Sequence, residues 1–289
     1  MNQLQRATTG KTFKAEDKNQ KIFASVFYHD IFDYPLNEGE LIKWQAGRKV
    51  KIRQNLRGVS SKDGYYFLAG KDSHILSRIL RKRISNRKLR IARKAGQIFS
   101  YIPSIRMVGV TGALAMENAN QDSDVDLIII CKKGALWTTR LLALTVFKLT
   151  GFPVRKFGDK NQKDKLCLNM WLDESALIWP KRDRNIYTAH EISQIKPILD
   201  REGTYGQFLY KNSWIRDYWP NATTIRQFTQ RISAGQTPLR LLETPARVLQ
   251  LWYMKSKITR EIVGKNKAIF HPFDWWGILK TKIDGILYS

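Results

Sequence analysis

The sequence predicts an α/β protein of the α+β kind: a mixed-sheet core with a small amino-terminal module and a helical carboxy-terminal region. Three observations predict it. Between residues 105 and 180, strand-length runs of Val, Ile and Leu alternate with segments of helical period. Ahead of them, three short helical patterns and a strand crowd into residues 19–72. Beyond Pro180 the apolar residues recur at helical spacing, punctuated by Pro197, Pro220, Pro238 and Pro272. A chain of 289 residues holds one large domain or two modest ones, and 43% hydrophobic with 11% aromatic residues excludes wholesale disorder.

Residues 1–18 are polar and are expected to form a mobile tail. In 19–72, Ile22, Phe23, Val26, Phe27, Ile31 and Phe32 make a helical face that must stop near Pro35, because proline disfavours helix in the residue before it. Asn37 with Glu40 has capping-box spacing, and Leu41, Ile42 and Trp44 supply the next apolar face. A third, basic helix is expected over Val50 to Leu56, then a turn at Lys62-Asp63-Gly64 and a strand from Tyr65 to Leu68. This order resembles a winged helix, a module that reads nucleic acid with its third helix or serves as a plain interaction module.

Residues 73–104 form a basic connecting helix. No acid occurs between Asp72 and Glu117, while Arg78, Arg81, Lys82, Arg83, Arg87, Lys88, Arg90, Arg93 and Lys94 crowd together. Beneath them Leu80, Ile84, Ile91, Ala95 and Ile98 recur at helical spacing as an apolar stripe. The run is either a docking face for a polyanion, with salt-sensitive affinity, or a solvated helix face. The core, residues 105–180, then reads as a strand from Ile105 to Val110, a glycine turn, a helix from about Leu114, a strand from Val125 to Cys131, a helix from Leu136 to Leu149 and a strand from Leu166 to Leu172. Residues 181–289 read as helices over Tyr187 to Leu199, Tyr205 to Tyr218 and Pro245 to Val263.

The chain carries 50 Lys and Arg against 25 Asp and Glu, a net charge of +25 that speaks to partners rather than to fold. Both flanks are basic and residues 108–180 are nearly neutral. No apolar run has bilayer length and the first twenty residues lack a signal-peptide core, so no membrane is expected and a cytoplasmic location is. Two cysteines, Cys131 and Cys167, exclude a disulfide framework or a zinc-finger-type site. They are expected as buried thiols facing each other across adjacent strands.

The chemistry concentrates in residues 108–130. In an extended strand alternate side chains share a face, so Asp124 and Asp126 point the same way about 7 Å apart at their backbones, with Val125, Leu127 and Ile129 facing the core. Two adjacent carboxylates repel unless a cation lies between them, which makes the pair a natural Mg2+ (or Mn2+) site. Upstream, Gly109 and Gly112 are expected to let the chain bend into a helix whose free amides suit phosphate oxygens.

Gly112-Ala113, ten residues, then Asp124-Val125-Asp126 at the start of an apolar strand resembles the signature of the DNA polymerase beta-like nucleotidyltransferase superfamily. The resemblance covers about residues 105 to 173. The whole chain also resembles bacterial nucleotidyltransferase-domain proteins with an amino-terminal winged helix, including stretches like Cys167-Leu168-Asn169 and Phe270-His271-Pro272. It implies a mixed-sheet nucleotidyltransferase core, metal ions on Asp124 and Asp126, and an NTP such as ATP as substrate, its triphosphate held at Thr111, Gly112 and Ala113. Two residues depart from that pattern. Ala113 stands where the family has Ser or Gly, and Asn169 stands where the resemblance places a third carboxylate. Asn offers a carbonyl oxygen to a metal but carries no charge, so Asp164, Asp159 or Asp173 is the alternative third acid.

The expected function is transfer of a nucleoside monophosphate from an NTP to an acceptor. A +25 protein repels polycationic acceptors such as aminoglycosides, and RNA or DNA suits the charge best, with Arg78, Arg81, Lys82, Arg83, Arg87, Lys88 and Arg90 as the nucleic-acid face. The alternatives are a catalytically silent nucleic-acid-binding protein using the winged helix and the basic helix, and AMP transfer to a protein. His271 either lines the site or packs beside Phe270, and Trp252, Trp275 and Trp276 either stack a base or pack the terminal helices.

Overall fold

The computed structural model describes residues 18–46, 58–225, 240–255, 261–270, 276–277 and 279–281. The expected tail, the third short helix at Val50 to Leu56, and His271 and Trp275 lie outside the described residues.

The amino-terminal module runs α1 (Lys18–Asp30), β1 (Leu36–Asn37), α2 (Glu38–Lys43), β2 (Val59–Lys62) and β3 (Tyr65–Leu68). The Asn37 side chain accepts the Glu40 N–H at 2.9 Å and the Glu40 carboxylate accepts the Asn37 N–H at 3.0 Å, so α2 starts on the capping box its spacing predicts. The strands form an antiparallel sheet in the order β1-β3-β2. A helix of 27 residues, α3 (His74–Ser100), then leads into the core.

The core elements are β4 (Ile105–Val110), α4 (Gly112–Ala115), β5 (Val125–Cys131), α5 (Leu136–Leu149) and β6 (Leu166–Asp173). They are followed by α6 (Ile186–Gln194), β7 (Lys196–Asp200), α7 (Thr204–Lys211), α8 (Arg240–Met254), β8 (Ile262–Val263) and β9 (Lys267–Ile269). One six-stranded mixed sheet runs β7-β4-β5-β6-β9-β8; β5 and β6 are parallel and every other pair is antiparallel. β4 and β5 are buried on both faces, which suits their β-branched runs. Val108, Val110, Leu127 and Ile129 pack with α3, α5 and α8 on one face. Met107, Ile128 and Ile130 pack on the other with α6, α7 and the amino-terminal module.

Four sequence expectations differ from the structure. The helix read over Tyr187 to Leu199 ends at Gln194, because Pro197 cannot continue it; residues 196–200 become an edge strand where a missing N–H is tolerated. The helix read over Pro245 to Val263 starts earlier, at Arg240, and Ile262–Val263 forms a hairpin with β9 beside β6. The helical carboxy-terminal region thus contributes three strands to the core sheet, and the boundary expected at 180 falls inside one continuous sheet. Leu80, expected in the buried stripe of α3, is 57% exposed; the face that packs carries Ile75, Leu89, Ala92, Ala95 and Phe99 together with Arg78, Ser85 and Lys88.

Candidate active site

The site forms where β4 ends and β5 begins. Asp124 and Asp126 lie on the face of β5 opposite Val125 and Leu127, as strand alternation requires. The Thr111 N–H donates to the Asp126 carbonyl at 3.0 Å, tying the turn after β4 to the acid-bearing strand. Gly112 has φ +62°, which favours glycine, and a Cβ there would crowd Asp126 Oδ2 at 3.1 Å. Gly109 plays a different part from the turn residue expected of it. It sits within β4, where a Cβ would meet Ile195 Cγ2 and Met107 Cε at 2.7 Å, and the lack of one lets the segment between α6 and β7 pack closely. The helix expected from about Leu114 is a single turn, Gly112–Ala115, with Ala113 exposed.

Next door, β6 pairs with β5 at Asp126↔Cys167 and then at Ile128↔Met170, so β6 carries one extra residue between these points. That bulge turns the Asn169 amide onto Asp126: Asn169 Nδ2 donates to Asp126 Oδ1 at 2.9 Å. It also breaks the simple alternation of side chains along β6, since Leu168 and Trp171 pack into the same cluster three residues apart. Asn169 Oδ1 is buried without a hydrogen-bond partner among the described residues. The other expected substitutes for a third acid are elsewhere. Asp164 pairs with Lys88 and Arg87, Asp159 pairs with Lys165, and Asp173 lies at the opposite end of β6.

Arg155 is a site residue that sequence reading missed. Its Nη1 donates to Asp124 Oδ2 at 2.6 Å and stands 3.9 Å from Cys167 Sγ. One ligand atom from each of Asp124, Asp126 and Cys167 lies within 4.8 Å of the others. Cys131 pairs in register with Asp173 while Cys167 pairs with Asp126, so the two thiols stand at opposite ends of the paired strands rather than facing each other.

Glu191 of α6 was also missed. It accepts the Gly112 backbone N–H and interacts with Asp126 through its charge. The signal was indistinct, since Glu191 is one acid in a helical pattern 65 residues after Asp126. Burial, with the Asp124 charge beside it, pushes the Asp126 carboxyl up to about 7. Burial and then the Asp126 charge push Glu191 up to about 8. Burial likewise raises the Cys167 thiol, which stays neutral. For Arg155, burial works to lower the guanidinium, but the hydrogen bond and charge of Asp124 outweigh it and the net shift is upward.

The donor set fits a hard divalent cation: two carboxylates on one face, a buried carbonyl oxygen beside them lacking a donor, and acid groups held short of charge. Asp124 and Asp126 would hold the ion, with the Asn169 oxygen as a neutral neighbour.

The basic helix divides into two sets. Arg78 is 2% exposed, bonded to Glu40, the Tyr34 hydroxyl and the Glu117 carbonyl; the Lys88 side chain is 0% exposed, bonded to Asp164 and the Gln121 and Ser123 carbonyls. These two cations are interior struts, contrary to their expected place on a docking face. Arg81 bonds the Phe32 carbonyl and pairs with Asp33, and Arg87 pairs with Asp164. Lys82, Arg83 and Arg90 are exposed, along with Arg93 and Lys94. Trp252 is exposed on α8, and Trp276 packs against the core face shared with the amino-terminal module.

No family model, curated protein or solved structure matches this chain. No helix among the described residues is long and apolar enough to cross a membrane.

Proposed function

We propose that this chain is a metal-dependent nucleotidyltransferase of the DNA polymerase beta-like kind, moving a nucleoside monophosphate from an NTP to an acceptor. The observation that carries the reading is the junction of Gly112 with Asp126. A turn whose glycine has φ +62°, and where an added Cβ would come within 3.1 Å of Asp126 Oδ2, abuts one carboxylate of an acid pair, on a strand whose neighbour presents Asn169. In the transfer, the acceptor oxygen bonds to the α-phosphorus as the bond to pyrophosphate breaks. A divalent ion at Asp124 and Asp126 would supply Lewis-acid stabilisation of the phosphoryl oxygens. Asn169 is neutral and grips Asp126 through its amide, so it contributes geometry rather than a base. The backbone of Thr111, Gly112 and Ala113 would face the triphosphate, and Ala113 contributes no hydroxyl to it.

A nucleic acid is the acceptor class we favour, because the net charge is +25 and a row of exposed bases lines α3. The order α1-β1-α2-β2-β3 and its antiparallel sheet support a winged-helix-like module. A second reading, a catalytically silent nucleic-acid-binding protein, draws on two features: Asn169 in the place of an acid, and Arg155 seated on Asp124. AMP transfer to a protein is the third reading. Incubating the protein with each labelled nucleoside triphosphate, Mg2+ or Mn2+, and total RNA separates them. Label in RNA that disappears in Asp124→Asn supports the first reading, label in protein supports the third, and no label in either promotes the silent binder.

A further inference from the structure

The feature that the nucleotidyltransferase reading does not absorb is Arg155. It lies in the connection between α5 and β6 and is fixed by its backbone: the Arg155 N–H donates to the Leu166 carbonyl at 2.8 Å, the Leu166 N–H donates to the Pro153 carbonyl at 2.9 Å, and Val154 bridges Leu166 in parallel. The main chain is therefore set against the start of β6 while the side chain reaches across it to Asp124. The Arg155 side chain is 26% exposed and that of Asp124 10%, so the guanidinium covers the carboxylate on its way to solvent. A monovalent cation within 2.6 Å of Asp124 Oδ2 competes directly with any other cation for that oxygen.

We propose that Arg155 is a resident counter-cation that a metal-bound nucleotide must displace, and that the displaced guanidinium then binds the polyphosphate of that nucleotide. The proposal rests on the nucleotidyltransferase reading of the same site. A divalent ion that takes over the charge of Asp124 leaves Arg155 without its anion, partly exposed, with its backbone still pinned. The polyphosphate that arrives with the ion is then the anion to hand, and a planar guanidinium matches two phosphate oxygens at once where an ammonium offers one point charge. Arg155 would thereby disfavour metal without nucleotide and favour the two together, coupling the bindings.

The test is Mn2+ titration followed by electron paramagnetic resonance, on wild type, Arg155→Ala and Arg155→Lys, with and without a non-hydrolysable nucleoside triphosphate. Near-ultraviolet circular dichroism checks that each variant is folded. Mn2+ alone should bind Arg155→Ala about tenfold more tightly than wild type, because a competing charge has gone. Nucleotide in the presence of Mn2+ should bind Arg155→Ala about tenfold more weakly, with Arg155→Lys between the two. A merely structural arginine would not move the two affinities in opposite directions. Equal Mn2+ affinity in wild type and Arg155→Ala overturns the counter-cation, and equal nucleotide affinity overturns the phosphate contact. Failure of every form to bind Mn2+ overturns the metal-dependent function and this inference with it, whereas Mn2+ binding that ignores residue 155 overturns this inference alone.

Discussion

At the end of β6 remote from the candidate site, Asp173 and Glu174 are buried, and each of their four carboxylate oxygens has a donor or cation. Asp173 accepts the Gly134 N–H and the Ser175 N–H and hydroxyl; Glu174 accepts the Lys133 N–H and pairs with Arg106 at 3.2 Å. At the other end, Asp124, Asp126 and Glu191 crowd together with, among the described residues, a single cation, the Arg155 guanidinium, and neutral donors only besides it: the Asn169 and Gln194 amides, the Cys167 thiol and the Gly112 N–H. The same two strands thus carry acids in opposite electrostatic states. Backbone donors make the far pair part of the fold. The near group is short of positive charge, and the carboxyls respond by holding their protons. Such a deficit destabilises the protein alone and is relieved by a bound cation, which is what a binding site requires.

The largest effect that tests this contrast is on catalysis. Asp124→Asn or Asp126→Asn should reduce nucleotide transfer by a hundredfold or more, on the order expected for loss of a charged group at a phosphoryl-transfer centre. For Asp126→Asn the thermal midpoint without metal should hold or rise, since the repulsion between the two carboxyls is gone, whereas Asp124→Asn also takes the anion away from Arg155. Asp173→Asn should do the reverse, costing about 1–3 kcal/mol of stability as an NH2 replaces one of two buried acceptor oxygens and faces a donor, with Mn2+ affinity unchanged. If Asp126→Asn destabilises as Asp173→Asn does, the two ends do not differ in kind.

The second effect is on pH dependence. Asp126 and Glu191 have folded-state values raised to about 7 and about 8, so the folded state keeps protons that the unfolded chain releases at ordinary carboxyl values. Their contribution is therefore complete at low pH and is lost as pH rises through that window to about 8. Without metal, the midpoint of wild type should fall relative to that of Glu191→Gln as pH is raised from 5 to 8, about the span of the shift. Parallel curves for wild type and Glu191→Gln would remove Glu191 from the charged group.

A smaller change sharpens the same comparison from inside the site. Asn169→Asp should tighten Mn2+ binding by about tenfold through an added charged oxygen, and should cost about 1 kcal/mol of metal-free stability. Identical metal affinities would mean that the bulge in β6 does not bring residue 169 to the ion. The smallest effect concerns cations rather than acids. Changing exposed Lys82, Arg83 and Arg90 to Gln should flatten the slope of log affinity against log salt for RNA by about one unit for each phosphate that is no longer neutralised. If affinity and slope both stay put, α3 is a solvated face.

The motif was legible in sequence because it is local. Glycine spacing, an Asp-x-Asp and an apolar run fix a turn, a shared face and a buried strand within twenty-odd residues, and the capping box of α2 was legible for the same reason. Which bases of α3 are buried was not legible, because Arg78 and Lys88 go inside for partners far away in sequence, Glu40 and Asp164. The three carboxy-terminal strands were hidden similarly, since an edge strand such as β7 gains its hydrogen bonds from β4, almost ninety residues earlier.

The sequence by itself determined the alternation of elements, the acid pair on one face of β5 and the glycine turn, all set by backbone sterics and nearest-neighbour spacing. Only the tertiary structure decided the composition of the site: Arg155 on Asp124, Asn169 turned by a one-residue bulge, and Glu191 brought in on α6. The physical reason is that charge acts through space. A carboxylate's state depends on the cations, donors and burial within a few ångströms, and the fold, not the order of residues, sets those distances.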